Sequence, residues 1–191
     1  MFAGIALIIV AALFRLLPVF LGVTLDQPAW LPNFSPMAAL CLCGAACLPR
    51  RWALAVPFTA LLATDILLNA HYGSALLTWE LVVKNLAFLA ISALGWRLRQ
   101  RASAKTLFPA VLASSVFFYV LTNTASWLSE PGYAKNLAGF IQALTVGLPS
   151  YAPTWTFYCN TLASDLVFTG LFLLSLSLPA TAKHREPVVT A

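Results

Sequence analysis

The stretch FSPMAALCLCGAACLP, residues 34–49, is a run of about 16 mostly apolar residues without a charge. Such a run predicts a membrane helix. Its length is at the low edge for crossing about 30 Å of hydrocarbon, so we expect this helix to be tilted or to begin within the outer interface. Cys41, Cys43 and Cys47 lie in the run with no adjacent His or acidic residue, and we interpret them as small residues that allow close helix packing.

The rest of the chain has the same apolar character. It has 191 residues, a mean hydropathy of +0.86 and 9% charged residues, whereas a soluble domain needs far more polar surface. We therefore predict an all-α integral membrane protein of about six transmembrane helices. The N-terminus has no basic region or cleavage site and is interpreted as a retained first span. The net charge is +5, but no arginine-rich run suggests nucleic-acid binding.

Six segments are predicted to span the membrane within one domain, residues 1–178. They are residues 2–23, 34–49, 52–70, 78–97, 107–128 and 154–178. Residues 136–150 are too short to span and are predicted to form an interfacial or re-entrant helix. They belong to a longer segment, residues 129–153, which Pro and Gly punctuate and which is predicted to be a lid or, alternatively, a passive interfacial segment. Residues 179–191 are expected to be a disordered cytoplasmic tail.

The basic residues predict the orientation of these spans. Eight of them fall on one side if the spans alternate: Arg50, Arg51, Arg97, Arg99, Arg101, Lys105, Lys183 and Arg185. The opposite loops carry only Lys135. By the positive-inside rule, both termini are cytoplasmic. The protein is accordingly expected in the bacterial cytoplasmic (inner) membrane, as a multi-pass protein surrounded by the lipid bilayer.

Polar residues cluster at the predicted outer ends of the spans. The clusters lie at the outer ends of four spans. They are Asn33 and Ser35 in the second span, Asn69, His71 and Tyr72 in the third, Asn123, Ser126 and Trp127 in the fifth, and Asn160 in the outer part of the sixth. Polar groups within a bilayer are costly unless they pair or face a cavity, so the clusters predict a binding site. The alternative is the general enrichment of polar and aromatic residues at helix ends, which explains the tryptophans better than the asparagines.

Two acidic residues, Asp65 and Asp165, are predicted to lie inside spans. One interpretation gives them a role in proton or cation coupling. The favoured interpretation is structural: a buried pair between an acid and Lys84 or Arg15, the two basic residues that also fall within spans.

A bound metal has two candidate ligands. His71, in a short outer loop, could contact a metal or a substrate group or sense pH, and otherwise is a loop histidine at the interface. Cys159 could coordinate a soft metal, although packing is the favoured role. No hydrolytic triad, HExxH or pairing of carboxylates with a histidine is recognisable, and no Walker-type glycine loop is present. We therefore expect neither an enzyme nor a resident cofactor.

Several motifs resemble an uncharacterised bacterial family of proposed membrane transport proteins, over about residues 5–175: NFSPMAAL, PRR, LLATDILLNAHYG, YVLTNTASWL, YAKNLAGFIQAL and NTLASDLVFTGLF. That family is similar to the substrate-binding S components of energy-coupling factor (ECF) transporters. The resemblance implies six helices and an outward pocket for a vitamin, a vitamin precursor or a metal ion, covered by outer loops. S components usually dock on a coupling subunit with ATPases through an Ala-x-x-x-Ala pattern in the first helix. Here AGIALIIVAALF lacks that pattern, so a solitary type, such as the BtuM-like cobalamin transporters, is the nearest precedent.

We therefore expect a transport protein that captures a small molecule, such as a vitamin, its precursor or cobalamin, from the outer side. The predicted substrate-binding residues are Asn33, Phe34, Ser35, Asn69, His71, Tyr72, Asn123, Trp127, Tyr133, Lys135 and Asn160. Two other functions are alternatives. One is a scaffold or assembly subunit whose outer clusters bind another protein. The other is a proton-coupled secondary carrier that uses Asp65 and Asp165.

Overall fold

A computed structural model describes residues 2–21, 34–73, 75, 78–149 and 151–182. Its elements are α1 (Phe2–Arg15), α2 (Leu17–Phe20), α3 (Met37–Cys47), α4 (Ala55–His71), α5 (Trp79–Leu98), a 3₁₀ turn (Arg99–Arg101), α6 (Ala104–Ser129), α7 (Leu137–Leu144) and α8 (Thr154–Ala182). The described residues contain no strand, so the predicted all-α class is confirmed.

Three segments are long and apolar enough to cross a membrane by length and composition: Trp79–Arg101, Ala104–Ser129 and Thr154–Ser175. Three shorter apolar helices accompany them, Gly4–Arg15, Met37–Cys47 and Ala55–His71. Many large apolar side chains are exposed around the bundle, as in a protein whose surface faces lipid. These features indicate a membrane protein. Six complete crossings do not follow from these helix lengths. The helix α3 has 11 residues and is about 16 Å long, which is half the hydrocarbon thickness.

The first predicted span is two helices rather than one. α1 ends at Arg15 and α2 begins at Leu17, with Pro18 in the first turn of α2. Proline has no N–H to donate to the carbonyl of the preceding helical turn, and its ring clashes with that carbonyl. A helix therefore commonly breaks before a proline. The last two residues of the predicted span, 22 and 23, lie outside the described residues.

The short helix α3 is the centre of the bundle. Ten of its 11 residues are buried, and it contacts α1, α4, α5, α6 and α8. Small residues on both sides of the contacts allow this close packing. At Gly95 of α5, a Cβ would lie 2.2 Å from the carbonyl oxygen of Leu42 in α3. Cys41 and Cys43 are fully buried, which agrees with the packing role predicted for them. A helix that is apolar on all sides is stable only when it is surrounded.

Contacts between helices fix their directions. Ala39 meets Asp165 and Cys43 meets Thr169, so α3 and α8 run in the same direction. α6 runs opposite to α5, since Ser129 at the end of α6 bonds Glu80 at the start of α5. These contacts give α3 and α8 the same direction and α5 and α6 opposite directions.

One end of the bundle is basic. Arg99 donates hydrogen bonds to the carbonyls of Ala45 and Leu48, which joins the end of α5 to the end of α3. We call the opposite end, where α5 and α8 begin and α6 ends, the distal end. α8 extends to Ala182, so the first residues of the predicted disordered tail are helical, and residues 183–191 of that tail lie outside the described residues.

Candidate functional site

A cavity of about 150 Å³ lies between the distal halves of α6 and α8, and we call it the α6–α8 cavity. It is lined by Ser115, Phe118, Tyr119, Thr122, Asn123, Ser126, Thr154, Phe157, Tyr158 and Thr161. Most of these side chains have polar groups and four are aromatic rings. A concave surface that combines an aromatic wall with a few polar groups is typical of small-molecule sites.

Helical periodicity explains why these residues share one surface. On α6 the lining residues follow one another at alternating intervals of three positions and one, from Ser115 to Ser126, and those of α8 do the same from Thr154 to Thr161. Residues three and four apart lie on the same helical face. The two polar faces therefore point at each other across the α6–α8 cavity.

The deep end of the α6–α8 cavity is closed by a buried carboxylate. Ser115, a lining residue, donates a hydrogen bond to Oδ2 of Asp165. Oδ1 of Asp165 accepts the backbone N–H of Ala39 at 2.9 Å, in the first turn of α3. Asp165 is fully buried. Its carboxylate thus satisfies orphan N–H groups of α3 and faces the positive end of the helix dipole. Neither Lys84 nor Arg15 pairs with it, so for this acid the predicted ion pair is wrong.

The other intramembrane acid, Asp65, has the predicted ion pair. Its Oδ1 accepts the Lys84 ammonium at 2.7 Å and also the Arg15 guanidinium, which bonds Thr64 as well. One carboxylate is shared by two cations from α1 and α5. Leaving any of the three charges unpaired in this buried position would be costly, so the cluster fixes the relative positions of α1, α4 and α5.

The lid segment, residues 129–153, packs on the distal end of α6. Its helix α7 confirms the short helix predicted within 136–150. Tyr119, from the cavity lining, donates its hydroxyl to the carbonyl of Leu144, and the Trp127 indole donates to Ala134 at 2.9 Å. The Phe140 ring lies edge-on to the Trp127 ring. The lid segment is therefore connected to the lining itself.

Of the predicted substrate-binding residues, only Asn123 is among the described lining residues. Trp127 and Lys135 instead hold the lid segment: Lys135 donates to the carbonyls of Trp127 and Glu130. Tyr133 is buried in the same segment, and burial together with the negative charge of Glu130 raises the pKa of its hydroxyl.

The predicted residues at the end of α4 are separate from the α6–α8 cavity lining. Asn69 donates to the carbonyl of Ala75 at 3.3 Å, and the rings of His71 and Tyr72 contact each other. Asn69 and His71 lie in the last turn of α4, and Tyr72 follows it next to Gly73, which has a positive φ of 64°. This cluster is interpretable as a loop structure.

The remaining predicted residues lie apart from the lining as well. The Phe34 ring contacts Phe14 of α1, and the Ser35 hydroxyl is buried without a partner among the described residues. Asn160 is half-buried on α8, beside the lining residue Thr161 but not part of the lining. Asn33 lies outside the described residues.

The two candidate metal ligands do not form a metal site within the described part of the chain. No three His, Cys, Asp or Glu side chains meet there. Cys159 is exposed on α8 and is not a lining residue of the α6–α8 cavity.

Sequence reasoning missed most of the lining. Helical spacing predicts two polar faces that were overlooked, Tyr119 with Thr122 and Tyr158 with Thr161. The asparagines near the helix ends were given more weight than these threonines and tyrosines. Ser115 was missed because a serine in an apolar helix commonly bonds its own backbone.

A second, larger depression of about 410 Å³ lies near the basic end and is lined by Leu54, Leu89, Ser92, Ala93, Trp96 and Arg97. Its wall is almost entirely apolar. Apolar walls at the surface of such a bundle are what lipid chains cover, so the α6–α8 cavity is the candidate functional site.

Fold and cavity together define a class: an all-helical membrane protein with a polar and aromatic cavity between two of its long helices. Over residues 1–187 the chain matches the model of the family of unknown function DUF6580, and it belongs to that family. No curated protein and no solved structure matches it.

Proposed function

We propose that this protein is a substrate-binding transport protein of the bacterial cytoplasmic membrane, which takes up a small molecule from the extracytoplasmic side. The observation that carries the proposal is the α6–α8 cavity, which combines facing polar surfaces, four aromatic rings and a lining serine bonded to a buried carboxylate. A passive helix contact would be filled by apolar side chains, since an interior void costs packing energy.

The proposed orientation has six crossings with both termini in the cytoplasm. Its support is the opposite directions of α5 and α6 together with the position of the basic residues. Arg99 and the residues near it lie at the end of the bundle opposite the α6–α8 cavity. Under the positive-inside rule this basic end is cytoplasmic, so the cavity belongs to the outer half.

The size of the cavity bears on the substrate. A volume of about 150 Å³ suits a molecule about as large as benzene. Among the candidate substrates this favours a small vitamin precursor over cobalamin, which is many times larger. The lid segment would cover such a molecule from the outside, because it is already bonded to Tyr119 of the lining.

The resemblance to ECF S components supports the transport class and rests on the sequence motifs. Two energy sources are compatible with the proposal. A coupling subunit with ATPases would dock from the membrane, whereas a proton-coupled carrier would use Asp165, which lies at the deep end of the α6–α8 cavity without a cation partner among the described residues. Uptake that requires a pH gradient and fails in Asp165→Asn would favour the carrier.

The proposal is tested by native mass spectrometry of the full chain purified mildly from its host membranes. We expect a co-purifying small molecule with the wild type and its loss in Thr122→Trp, which fills the cavity. The matched control is Val120→Trp on the same helix, where the native side chain is 41% exposed and points away from the bundle. This control should keep the molecule.

A bare protein in all three samples would contradict the proposal, as would equal occupancy in wild type and Thr122→Trp. A protein partner that co-purifies without a small molecule would instead support the scaffold alternative. An ATPase-linked partner would identify the coupling module.

A further inference from the structure

Several polar residues that line the α6–α8 cavity already donate hydrogen bonds within the protein. Tyr119 donates its hydroxyl to Leu144, Thr122 donates to the carbonyl of Phe118 at 2.8 Å, and Asn123 donates to the carbonyl of Tyr119 at 2.8 Å. The oxygens of these groups retain lone pairs that can accept. The hydroxyls of Tyr119 and Thr122 and the amide oxygen of Asn123 can therefore accept a hydrogen bond from a ligand that donates.

Charge around the α6–α8 cavity favours the same kind of ligand. No described lining residue is charged, and Ser115 connects the lining directly to the Asp165 carboxylate. The ion pairs of the described residues all involve Asp65, so Asp165 has no cation partner among them. The positive end of α3 offsets about half a charge of the carboxylate. When Asp165 is ionised, the rest of its charge attracts a cation that approaches Ser115.

The aromatic rings complete the argument. Phe118, Tyr119, Phe157 and Tyr158 line the cavity, and the rings of Tyr119 and Tyr158 are 4.7 Å apart between centroids. The faces of aromatic rings attract cations, and organic ammonium groups are commonly held by several rings. Hydroxyl acceptors, rings and a nearby carboxylate are together the chemistry of an amine site.

We propose that the α6–α8 cavity binds a small organic cation, an ammonium compound about as large as benzene, with its charged end toward Ser115 and Asp165. This inference rests on the proposed function and specifies its substrate class. A carboxylate substrate would meet these acceptors and the ionised Asp165 carboxylate, and a neutral apolar one would leave the acceptors without a donor.

The test uses the full-length protein in lipid nanodiscs and four probes of similar size: n-butylammonium, tetramethylammonium, butan-1-ol and butyrate. Binding is measured by ligand-observed NMR, which detects weak affinities. We expect both cations to bind at least about tenfold more tightly than butan-1-ol. A tenfold difference in affinity is what a single charge or cation–π contact contributes. Butyrate should bind least.

Two variants locate the binding. Tyr158→Leu removes part of the aromatic wall and should weaken both cations by about tenfold. Trp155→Leu is the matched control one turn away, where the native side chain is 54% exposed, and it should leave both affinities unchanged. Asp165→Asn should reduce the preference for cations over butan-1-ol. If Asp165→Asn fails to fold, Tyr158→Leu still tests the inference.

The outcomes separate the two proposals. If butan-1-ol or butyrate binds as tightly as the cations, and Thr122→Trp abolishes that binding, the cavity is a binding site and the cation inference is overturned. If no probe responds to Thr122→Trp, the inference and the proposed function both fail.

Discussion

Two single residues bind the ends of the central helix from other helices. Asp165 of α8 accepts an N–H from the first turn of α3, and Arg99 donates to carbonyls at its end. A buried helix leaves four N–H and four C=O groups without intrahelical partners, and no water is present in a bilayer to satisfy them. An acid at the positive end and a base at the negative end also match the helix dipole. These two contacts allow α3 to end inside the bundle.

The contact at Asp165 gives a first prediction. Asp165→Asn keeps one acceptor for Ala39 but loses the negative charge at the helix end, and we expect it to lower the free energy of unfolding by about 1–3 kcal/mol. Ser115→Ala removes a single bond and should cost about 0.5–1.5 kcal/mol. Thermal unfolding of the detergent-solubilised protein measures both. A smaller effect for Asp165→Asn than for Ser115→Ala would show that α3 does not depend on this carboxylate.

The cluster around Asp65 gives a second prediction, which is an asymmetry. Asp65→Ala leaves Arg15 and Lys84 as two unpaired buried cations and should destabilise the protein by about 3–5 kcal/mol. Lys84→Met keeps one cation for one carboxylate, so we expect a loss of about 1 kcal/mol or less, as for a partly exposed ion pair. The same unfolding measurement compares them. Equal losses would mean that Lys84 carries the cluster as much as Asp65 does.

At the scale of elements, the bundle depends on how closely helices approach α3. Residues 34–49 supply a helix of Ala, Cys, Gly and Leu that presents little bulk on any side. Neighbouring helices also have small residues where they contact α3, and the clearest example is Gly95 on α5. Small residues at helix contacts let backbones approach and replace the hydrophobic driving force that lipid surroundings remove.

A third prediction concerns this approach. Gly95→Ala would place a Cβ 2.2 Å from the Leu42 carbonyl oxygen, so α3 and α5 must separate, and we expect a destabilisation of about 1–3 kcal/mol. Gly170→Ala on α8 is the matched control, because its Cβ would meet only the Phe108 ring at 3.9 Å, an ordinary contact. The unfolding midpoint of the control should equal or exceed that of the wild type. A tolerated Gly95→Ala would rule out close α3–α5 packing.

The lid segment shows how an element can be only partly anchored. α7 buries Gly139 and Ala143 toward the bundle, whereas Leu137 is 72% exposed. Asn136 caps the helix by accepting the N–H of Gly139 at 3.0 Å. An amphipathic helix with its apolar side outward fits the boundary between lipid and water. The segment is thus held at its ends by α6 and is otherwise suited to lie on the membrane.

At the scale of the whole molecule, the two ends of the bundle differ in chemistry. Arginines gather at the end where α5 finishes, and the distal end carries the α6–α8 cavity and the lid segment. This asymmetry across the bundle is the basis of the proposed orientation.

A fourth prediction tests that orientation with exposed single cysteines in a Cys159→Ala parent. A membrane-impermeant thiol reagent added to intact cells should label Ala152→Cys at the distal end and leave Gln100→Cys at the basic end unlabelled. Permeabilised cells should label both, and the unmodified parent reports background from the three buried or half-buried cysteines. The reverse pattern would invert the proposed topology.

The sequence by itself determined the class of the protein and where its helices lie. An apolar composition leaves only helices in lipid as a stable solution, and each predicted span contains a helix of the structure. It also predicted that a buried acid pairs with Lys84 or Arg15, the two basic residues within spans, and the structure shows both pairs at Asp65. The short helix α7 was predictable from its length and apolarity alone.

Only the tertiary structure decided which polar residues meet. Asn123 is part of the lining, whereas Asn69 and His71, in the last turn of α4, are not, although all three are near helix ends. Asp165 meets Ala39 across 126 positions of sequence, a partner that no local pattern indicates. The physical reason is that periodicity reports one helix at a time. Which faces turn toward each other depends on side-chain packing between helices, and in this bundle the small residues of α3 set that packing.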